Sequence, residues 1–298
     1  MLGLSRLCVP RSLILAATLG LIACGGGQSG DPTGTSGSGA GGVSGPSGSG
    51  AGTTGSGAGT TGSGAAGSGG YTPTGELADD FDGTGPLIGY TTNNESALPE
   101  VGRVDGRYRA NLVDNANDVT LHYHDAQGRL DAKLVSFPFD VVARNIGIGT
   151  QGDSQSAPPP TNNPYVFAGI QVHIPELATP SSSHVVVGHR GDVHFTVEGK
   201  NTLDGNSSVN DAGANILPAG RADIRIVGNA DHTLTVYWQE PNPSPGSIAD
   251  DWNLYNGDGN LPGPAPSYPD VVYIGLITYA FGYNGIPFVG TCDAIEGG

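Results

Sequence analysis

The chain is 298 residues long, with 51 glycines, 22 prolines and a net charge of −16 from 12 basic and 28 acidic side chains. This acidity argues against nucleic acid and anionic lipid head groups as partners, because both bind clustered cations. It favours a surface protein, or one whose aspartate-rich loops hold a cation.

Residues 1–23 are typical of a secretory signal peptide: two arginines precede the apolar run SLILAATLGLIA, which is too short to span a bilayer. The four residues from Leu21 to Cys24 resemble the lipobox of bacterial lipoproteins. That resemblance implies cleavage before Cys24 and attachment of diacylglycerol to its sulfur; an ordinary signal peptide with a chance cysteine is the alternative. Gly25, in place of Asp, gives no inner-membrane retention signal. We therefore expect an exported protein that contacts a bacterial membrane only through this lipid, at the outer membrane or the cell surface.

Residues 24–70 are predicted to be a disordered linker that begins with the lipidated cysteine. Glycine makes up 21 of the 46 residues between Gly25 and Gly70, and the rest is almost all Ser, Thr and Ala. Such a composition cannot form a core that offsets chain entropy. A Gly/Ser chain of this length spans roughly 35–40 Å root-mean-square, which holds the following domain clear of the membrane.

Residues 71–298 are predicted to form one all-β domain. Short segments rich in Val, Ile, Thr, Phe and Tyr end at Gly, Pro, Asn or Asp, and no convincing helical period interrupts 165–283. Pro138 marks an edge or a bend within one of these segments. In chain order the predicted strands are 77–94, 106–113, 119–125, 133–149, 167–174, 184–191, 193–200, 222–228, 233–240 and 271–282.

Short motifs in the central strands carry a second resemblance. They are Ala168-Gly169, Val185-Val186-Val187-Gly188, Ile224-Arg225-Ile226, Thr235-Val236-Tyr237, Trp252 and Tyr273-Ile274-Gly275-Leu276. In this order they resemble a concanavalin-A-like lectin/glucanase sandwich of the laminin-G-like kind, which implies a two-sheet antiparallel jelly roll. The resemblance does not define an activity, because this fold carries lectins, glycosidases, lyases and non-catalytic modules. The chain lacks the ExDxxE motif of the glucanase branch, so a retaining glycosidase of that branch is not expected.

Period-two alternation predicts that apolar side chains such as Ile224, Val236 and Val197 face a core and that their polar neighbours face outward. If the strands share one sheet, the outward side chains form a single hydrophilic surface suited to hydrogen-bonding sugar hydroxyls. Its members are Gln171, His173, His194, Glu198, Arg225, Tyr237 and Gln239. An ordinary solvated face is the alternative.

Two aromatic residues of the loop DDWNLYNGDGN, Trp252 and Tyr255, are the candidates for stacking on sugar rings. Trp252 could instead fill the end of the sandwich. Catalysis, with Glu198 and His194 as acid and base, is a second hypothesis for the polar surface.

Calcium is the cofactor that the aspartate pattern favours. Asp80, Asp82 and Asp293 lie where sandwiches of this kind often hold a structural Ca²⁺ between their termini. Asp-Gly turns also form without a metal, so a metal-free turn is the alternative. His122 and His124 have a spacing that lets two imidazoles meet one metal, but no third ligand is visible nearby.

The remaining cysteine, Cys292, has no partner once Cys8 of the signal segment and Cys24 are set aside. The sequence therefore predicts no disulfide framework. A buried, inert thiol is expected at Cys292, with intermolecular pairing as the alternative.

These observations predict a cell-envelope lipoprotein whose lectin-like sandwich binds a glycan or another extracellular ligand. One alternative is a polysaccharide-active lyase or hydrolase that uses Glu198, His194, Arg225 and Tyr237. The other is an adhesion or structural module without small-ligand chemistry.

Overall fold

The computed structural model describes a β-sandwich made from residues 75–98, 100–112, 128–150, 158–159, 165–241, 251–281 and 288–298. Several predicted features lie outside these residues, namely the signal peptide 1–23, the lipidation site Cys24, the linker 24–70, and the strand 119–125 with His122 and His124. Neither of the two 3₁₀ helices in the described ranges has the length or apolar character that crossing a membrane demands.

Short strands make up most of the described residues. In chain order they are β1 (Thr91–Asn93), β2 (Val101–Arg103), β3 (Tyr108–Asn111), β4 (Arg129–Ser136), β5 (Phe139–Gly149), β6 (Tyr165–His173), β7 (Ser182–Arg190), β8 (His194–Leu203), β9 (Asn206–Asp211), β10 (Arg221–Gly228), β11 (Leu234–Gln239), β12 (Asn253–Leu254), β13 (Val271–Phe281), β14 (Val289–Cys292) and β15 (Ala294–Gly297). The 3₁₀ helices are Glu95–Ala97 and Tyr255–Gly257.

The strands form two antiparallel sheets. The seven-stranded sheet has the order β1-β4-β13-β6-β7-β8-β9. The eight-stranded sheet has the order β12-β11-β10-β5-β14-β3-β2, and β15 also pairs with β5. All of these pairings are antiparallel. The predicted sandwich of two antiparallel sheets is therefore confirmed as the fold.

Alternate apolar residues of the two sheets meet to form the core. Val197 of the seven-stranded sheet and Ile224 and Val236 of the eight-stranded sheet are completely buried and belong to one cluster. Their predicted inward orientation is confirmed. Each such side chain contributes about 1.5–3 kcal/mol through removal of its apolar surface from water. Cys292 is also buried in this core as a free thiol.

The predicted segment 133–149 consists of two strands in different sheets. β4 ends at Ser136 in the seven-stranded sheet, and β5 begins at Phe139 in the eight-stranded sheet. Pro138 lies between them and has no N–H to donate to a ladder, so pairing stops there and the chain crosses over. The bend at Pro138 is confirmed, whereas the single continuous strand is wrong.

The predicted edge strand 77–94 is shorter than expected. Only Thr91–Asn93 is a strand, although Asp79 forms an isolated bridge with Ile295. Gly83, Gly85 and Gly89 have φ values of 82°, 130° and 78°. These left-handed conformations are open to glycine but interrupt an extended strand, which explains why a continuous strand begins only at Thr91.

The inward orientation of Ile224 can be tested by stability. We expect Ile224→Ala to lower the free energy of unfolding by about 2–5 kcal/mol, because it leaves a cavity between the sheets. The control Leu134→Ala removes a side chain that is 52% exposed. It should change the free energy by no more than about 0.5 kcal/mol. Urea unfolding of the full-length proteins measures both; equal effects of the two substitutions would contradict the described core.

Candidate functional site

The outer face of the seven-stranded sheet, the side turned away from the core, carries an unusual set of side chains. Cross-strand register aligns Gln171 of β6 with His184 of β7, and His184 with Lys200 of β8. In the adjoining row, Val186 of β7 lies beside Glu198 of β8. Residues aligned in this way have neighbouring side chains on one face of a sheet. The fold therefore gathers an amide, an imidazole, an ammonium group and a carboxylate in one place.

This outer face is not a solvated surface. Four of its side chains, from Phe167, Val186, Ile277 and Tyr279, form a second buried apolar cluster, with Tyr165 packed against it. The polar group is buried among them: Glu198 is 6% exposed and Lys200 is 4% exposed. The expectation of a hydrophilic outer surface is therefore wrong for this sheet, since its outer face carries apolar and charged side chains together.

Tyr279 links the polar side chains across the sheet. Its hydroxyl donates a hydrogen bond to Glu198 Oε1 at 2.9 Å and lies 3.3 Å from Nε2 of His184. Tyr279 belongs to β13 and Glu198 to β8, and the strands β6 and β7 lie between them. Gly188 of β7 lies in the row of Tyr279, and Gly169 of β6 lies in the row of Glu198. Neither glycine places a side chain between the phenol and the carboxylate.

Charges surround the Glu198 carboxylate on its other side. Nε of Arg190 lies 3.7 Å from Glu198 Oε2, while Nη1 of the same guanidinium lies 3.0 Å from Asp211 Oδ2. Nζ of Lys200 lies 5.7 Å from the centre of the Tyr279 ring. The buried carboxylate is thus accompanied by two cations, which reduces the cost of taking its charge out of water.

Burial shifts the pKa values of Glu198, Lys200 and His184. Desolvation raises the pKa of Glu198, against the opposing effects of Lys200, the Tyr279 hydrogen bond and Arg190. Desolvation also lowers the pKa of Lys200 to about 8, although Glu198 opposes that shift. The pKa of His184 lies well below its usual value, first because of burial and second because of the charge on Lys200. Displaced pKa values in one cluster are typical of functional sites.

The seven side chains predicted to form one surface belong to two different sheets. Gln171, His173, His194 and Glu198 lie in β6 and β8 of the seven-stranded sheet, whereas Arg225, Tyr237 and Gln239 lie in β10 and β11 of the eight-stranded sheet. The single shared surface is therefore wrong. Alternation separates inward from outward side chains, but it does not tell which sheet a strand joins, and the outward sides of a sandwich's two sheets point in opposite directions.

The proposed pairing of Glu198 with His194 as acid and base is also wrong. His194 is four residues before Glu198 on the same strand, so their Cα atoms are about 13 Å apart. His194 is exposed at the start of β8, with a φ of 61°, and its ring lies 5.8 Å from that of His189.

Side chains on the outward side of the eight-stranded sheet have partners of their own. Arg225 Nε donates to Asp140 Oδ1 at 2.8 Å, and its guanidinium lies 5.3 Å from the centre of the Tyr237 ring. Gln239 Nε2 donates to Asp223 Oδ2 at 3.0 Å. The exposed Arg225 pair is of the kind that contributes little to stability.

The two aromatic stacking candidates lie in different environments. Tyr255 is completely buried in the core, where its hydroxyl donates to the carbonyl of Asn210 at 2.9 Å, so its assignment as a sugar platform is wrong. Gly199 leaves room for the Tyr255 ring, because a Cβ at position 199 would lie only 2.7 Å from it. Trp252 is half-buried, and the guanidinium of Arg144 lies 5.7 Å from its ring centre.

Two of the three expected calcium ligands, Asp80 and Asp293, accept hydrogen bonds within the protein. Asp80 Oδ1 accepts the N–H of Asp82 at 3.1 Å within a turn. Asp293 Oδ2 accepts a hydrogen bond from Asn145 Nδ2 at 2.8 Å, and burial raises the pKa of its carboxyl. In the described ranges no three His, Cys, Asp or Glu side chains are grouped closely enough to hold a metal ion. These contacts do not assemble a ligand set, and a structural Ca²⁺ stays a prediction.

Three residues of the outer-face cluster were not predicted as site residues. Lys200 is two positions after Glu198 in a predicted strand, so alternation alone could have placed it on the same face. His184 lies an odd number of residues before His189, so alternation places the two on opposite faces, but the link of His184 to the site requires the pairing of β6 with β7. Tyr279 lies in a run that is apolar on both faces, where alternation carries no signal.

No protein-family model and no curated protein sequence matches the chain. Solved structures similar to it include a xylan β-1,4-xylosidase from Bacillus halodurans (13% identity, TM-score 0.46), of which the chain spans 40% while 76% of the chain is covered. A Bacillus licheniformis β-glucanase (11% identity, TM-score 0.40) is matched over 97% of its length and 74% of the chain. The Emp47p carbohydrate recognition domain (9% identity, TM-score 0.40) is matched over 93% of its length and 74% of the chain. At these identities and TM-scores the matches define neither a family nor an activity for the chain.

The unusual environment of Lys200 can be measured by titration. The chain contains two lysines, Lys133 and Lys200, so ¹³C-labelled lysine gives two side-chain NMR signals, and Lys133→Arg assigns them. We expect the Lys200 signal to titrate with a midpoint near pH 8. A midpoint near 10.5, the usual lysine value, would contradict the buried position.

The lowered pKa of Lys200 also makes the stability of the fold depend on pH. Between pH 8 and pH 10.5 the unfolded chain retains a proton that folded Lys200 has released. Stability therefore rises with pH in this window, by an amount on the order of 3 kcal/mol, relative to Lys200→Met. Denaturant unfolding of both full-length proteins across this pH range checks the sign.

Proposed function

We propose that the domain binds a glycan on the outer face of the seven-stranded sheet and that Cys24 anchors it by lipid to the cell envelope. One observation carries the proposal: Glu198, Lys200 and His184 are buried beside Tyr279 in an otherwise apolar layer. Apolar side chains there would avoid the cost of burying charge, so the retention of these groups favours a role in ligand recognition.

The chemistry of the group suits a carbohydrate. Carboxylate, amide and imidazole groups hydrogen-bond sugar hydroxyls, and the partly exposed ring of Tyr165 offers apolar surface to the C–H face of a sugar. The lectin-like sandwich inferred from the motifs of the central strands is consistent with this ligand class. The lipobox at Leu21–Cys24 and the glycine-rich linker support display on the cell envelope.

A polysaccharide-active enzyme is the second candidate. Glu198 has a raised pKa and Lys200 a lowered one, so both groups exchange protons closer to neutrality than usual. Tyr279 connects the carboxylate to His184 through its hydroxyl. Among enzymes, this arrangement favours a lyase or a hydrolase. Its catalytic centre would lie on the outer face of the seven-stranded sheet and not at the Glu198–His194 pair.

Binding to a glycan array of the full-length protein tests the first candidate. We expect retention of at least one glycan class, and we expect Glu198→Gln to weaken that binding by about tenfold or more, because it removes a charged hydrogen-bonding group. Asp140→Asn is the matched control, since it changes a carboxylate in the same way on the opposite sheet and should leave affinity within about twofold. A folded protein that binds no glycan would overturn the proposal in favour of an adhesion or structural module.

Release of reducing ends or of unsaturated uronates from mixed polysaccharides tests the enzyme. Product formation that disappears in Glu198→Gln would favour the second candidate. Absence of product from every polysaccharide would contradict the enzyme hypothesis.

A further inference from the structure

Three buried polar atoms on the outer face lack a hydrogen-bond partner among the described residues. They are Oε1 of Gln171, Oγ of Ser182 and Nδ1 of His184. Each of the three residues is only 1% exposed. A buried polar atom without a partner costs free energy, and native proteins contain few of them. Three in one place therefore point to groups that a ligand completes.

The three atoms belong to one block of neighbouring side chains. Gln171 of β6 is paired with His184 of β7, and His173 of β6 is paired with Ser182 of β7. Side chains paired in this way have Cβ atoms about 5 Å apart, and the two pairs are about 7 Å apart along the strands. The four side chains are therefore spaced closely enough for one small ring that bears several polar groups to span them.

The proton positions make this block a hydrogen-bond acceptor. With Glu198 ionised, the single hydroxyl hydrogen of Tyr279 is donated to Glu198 Oε1, so the contact with His184 requires a hydrogen on Nε2. The lowered pKa of His184 keeps its imidazole neutral, which leaves Nδ1 unprotonated and able only to accept. Oε1 of Gln171 is also an acceptor.

His173 adds a further acceptor. Its Nδ1 lies 2.7 Å from the carbonyl oxygen of Ile174, a contact that requires a hydrogen on Nδ1. Burial lowers the pKa of His173, so its Nε2 is unprotonated in the neutral ring. Only Ser182 can either donate or accept.

A ligand for this block must supply donors. Carboxylate, sulfate and phosphate groups have only acceptors, so they would face the lone pairs of Gln171 and His184 with no hydrogen to share, whatever attraction Lys200 adds. An ammonium group supplies donors, but Lys200 lies beside His184 in the same row and would repel it. Neighbouring hydroxyls of an uncharged sugar satisfy the acceptors without either penalty.

We infer that Gln171, His173, Ser182 and His184 form the sugar-contacting block of the outer face and select an uncharged sugar over uronate or sulfated glycans. The inference rests on the proposed glycan binding. It adds the class of sugar and the side chains that distinguish it.

Calorimetric titration of the full-length protein with matched neutral and acidic oligosaccharides tests this selection. We expect the neutral member of each pair to bind more tightly, by about tenfold or more. Tighter binding of the acidic member would overturn the inferred sugar class and leave glycan binding itself intact. Binding of neither member, with no retention on the array, would instead overturn the proposed function.

Substitutions separate recognition from folding. Ser182→Ala and Gln171→Met remove unpaired atoms, so each should weaken neutral-sugar binding by about fivefold or more without lowering the melting temperature of the free protein. Ser183→Ala is the matched control on the neighbouring position. The Ser183 hydroxyl faces the core, where it donates to Asn201 Oδ1 and accepts from the Tyr268 hydroxyl, each at 2.6 Å. We expect that variant to lower the melting temperature and to leave affinity within about twofold.

Two outcomes would contradict the inference that these four side chains contact the sugar. One is a Ser182→Ala variant that is less stable but binds normally, because the hydroxyl would then serve the fold. The other is a crystal structure of the sugar complex in which only ordered water contacts Gln171 Oε1 and His184 Nδ1. If Gln171→Met does not fold, the binding and melting temperature of Ser182→Ala alone test the inference.

Discussion

The burial of charge on the outer face of the seven-stranded sheet is the constraint on which the functional account depends. A carboxylate and an ammonium group lose several kcal/mol of hydration when they leave water, and a mutual attraction in the interior only partly offsets that loss. Glu198 and Lys200 both experience this cost within an apolar layer formed by Phe167, Val186 and Ile277. Ordinary hydrophobic residues would make a more stable layer, so the charges require a reason other than stability.

A comparison with a buried polar network on the eight-stranded sheet strengthens this interpretation. On the eight-stranded sheet, Asp223 accepts hydrogen bonds from Arg144, from the N–H of Asn145 and from Gln239. Arg144 also makes two hydrogen bonds to Glu296, which fixes β15 to β5. That network satisfies its central carboxylate and holds the C-terminal strand. On the outer face of the seven-stranded sheet, polar atoms of Gln171, Ser182 and His184 instead have no hydrogen-bond partner among the described residues, as expected of a site that awaits a ligand.

The sequence was sufficient for the fold and only partly for the site. Clear alternation and β-branched residues predicted the six central strands within a few residues, and Ile224 and Val236 face the core as expected. The strand β9 was missed because NSSVND contains one apolar residue, and β14 and β15 because each has only four residues. The sequence does not show which sheet each strand joins, because alternation is a local property whereas strand pairing depends on residues far apart in the chain. For that reason Arg225 was grouped with Glu198, while Tyr279 was overlooked.

The most direct test maps the binding face in solution. Backbone amide NMR spectra of the full-length protein, recorded with and without a saturating neutral oligosaccharide, report which strands the ligand contacts. The account predicts that the largest shift changes fall in β6, β7 and β8 around Gln171, His184 and Glu198. Changes concentrated in β10 and β11 around Arg225 and Tyr237, with β6 to β8 unaffected, would contradict it.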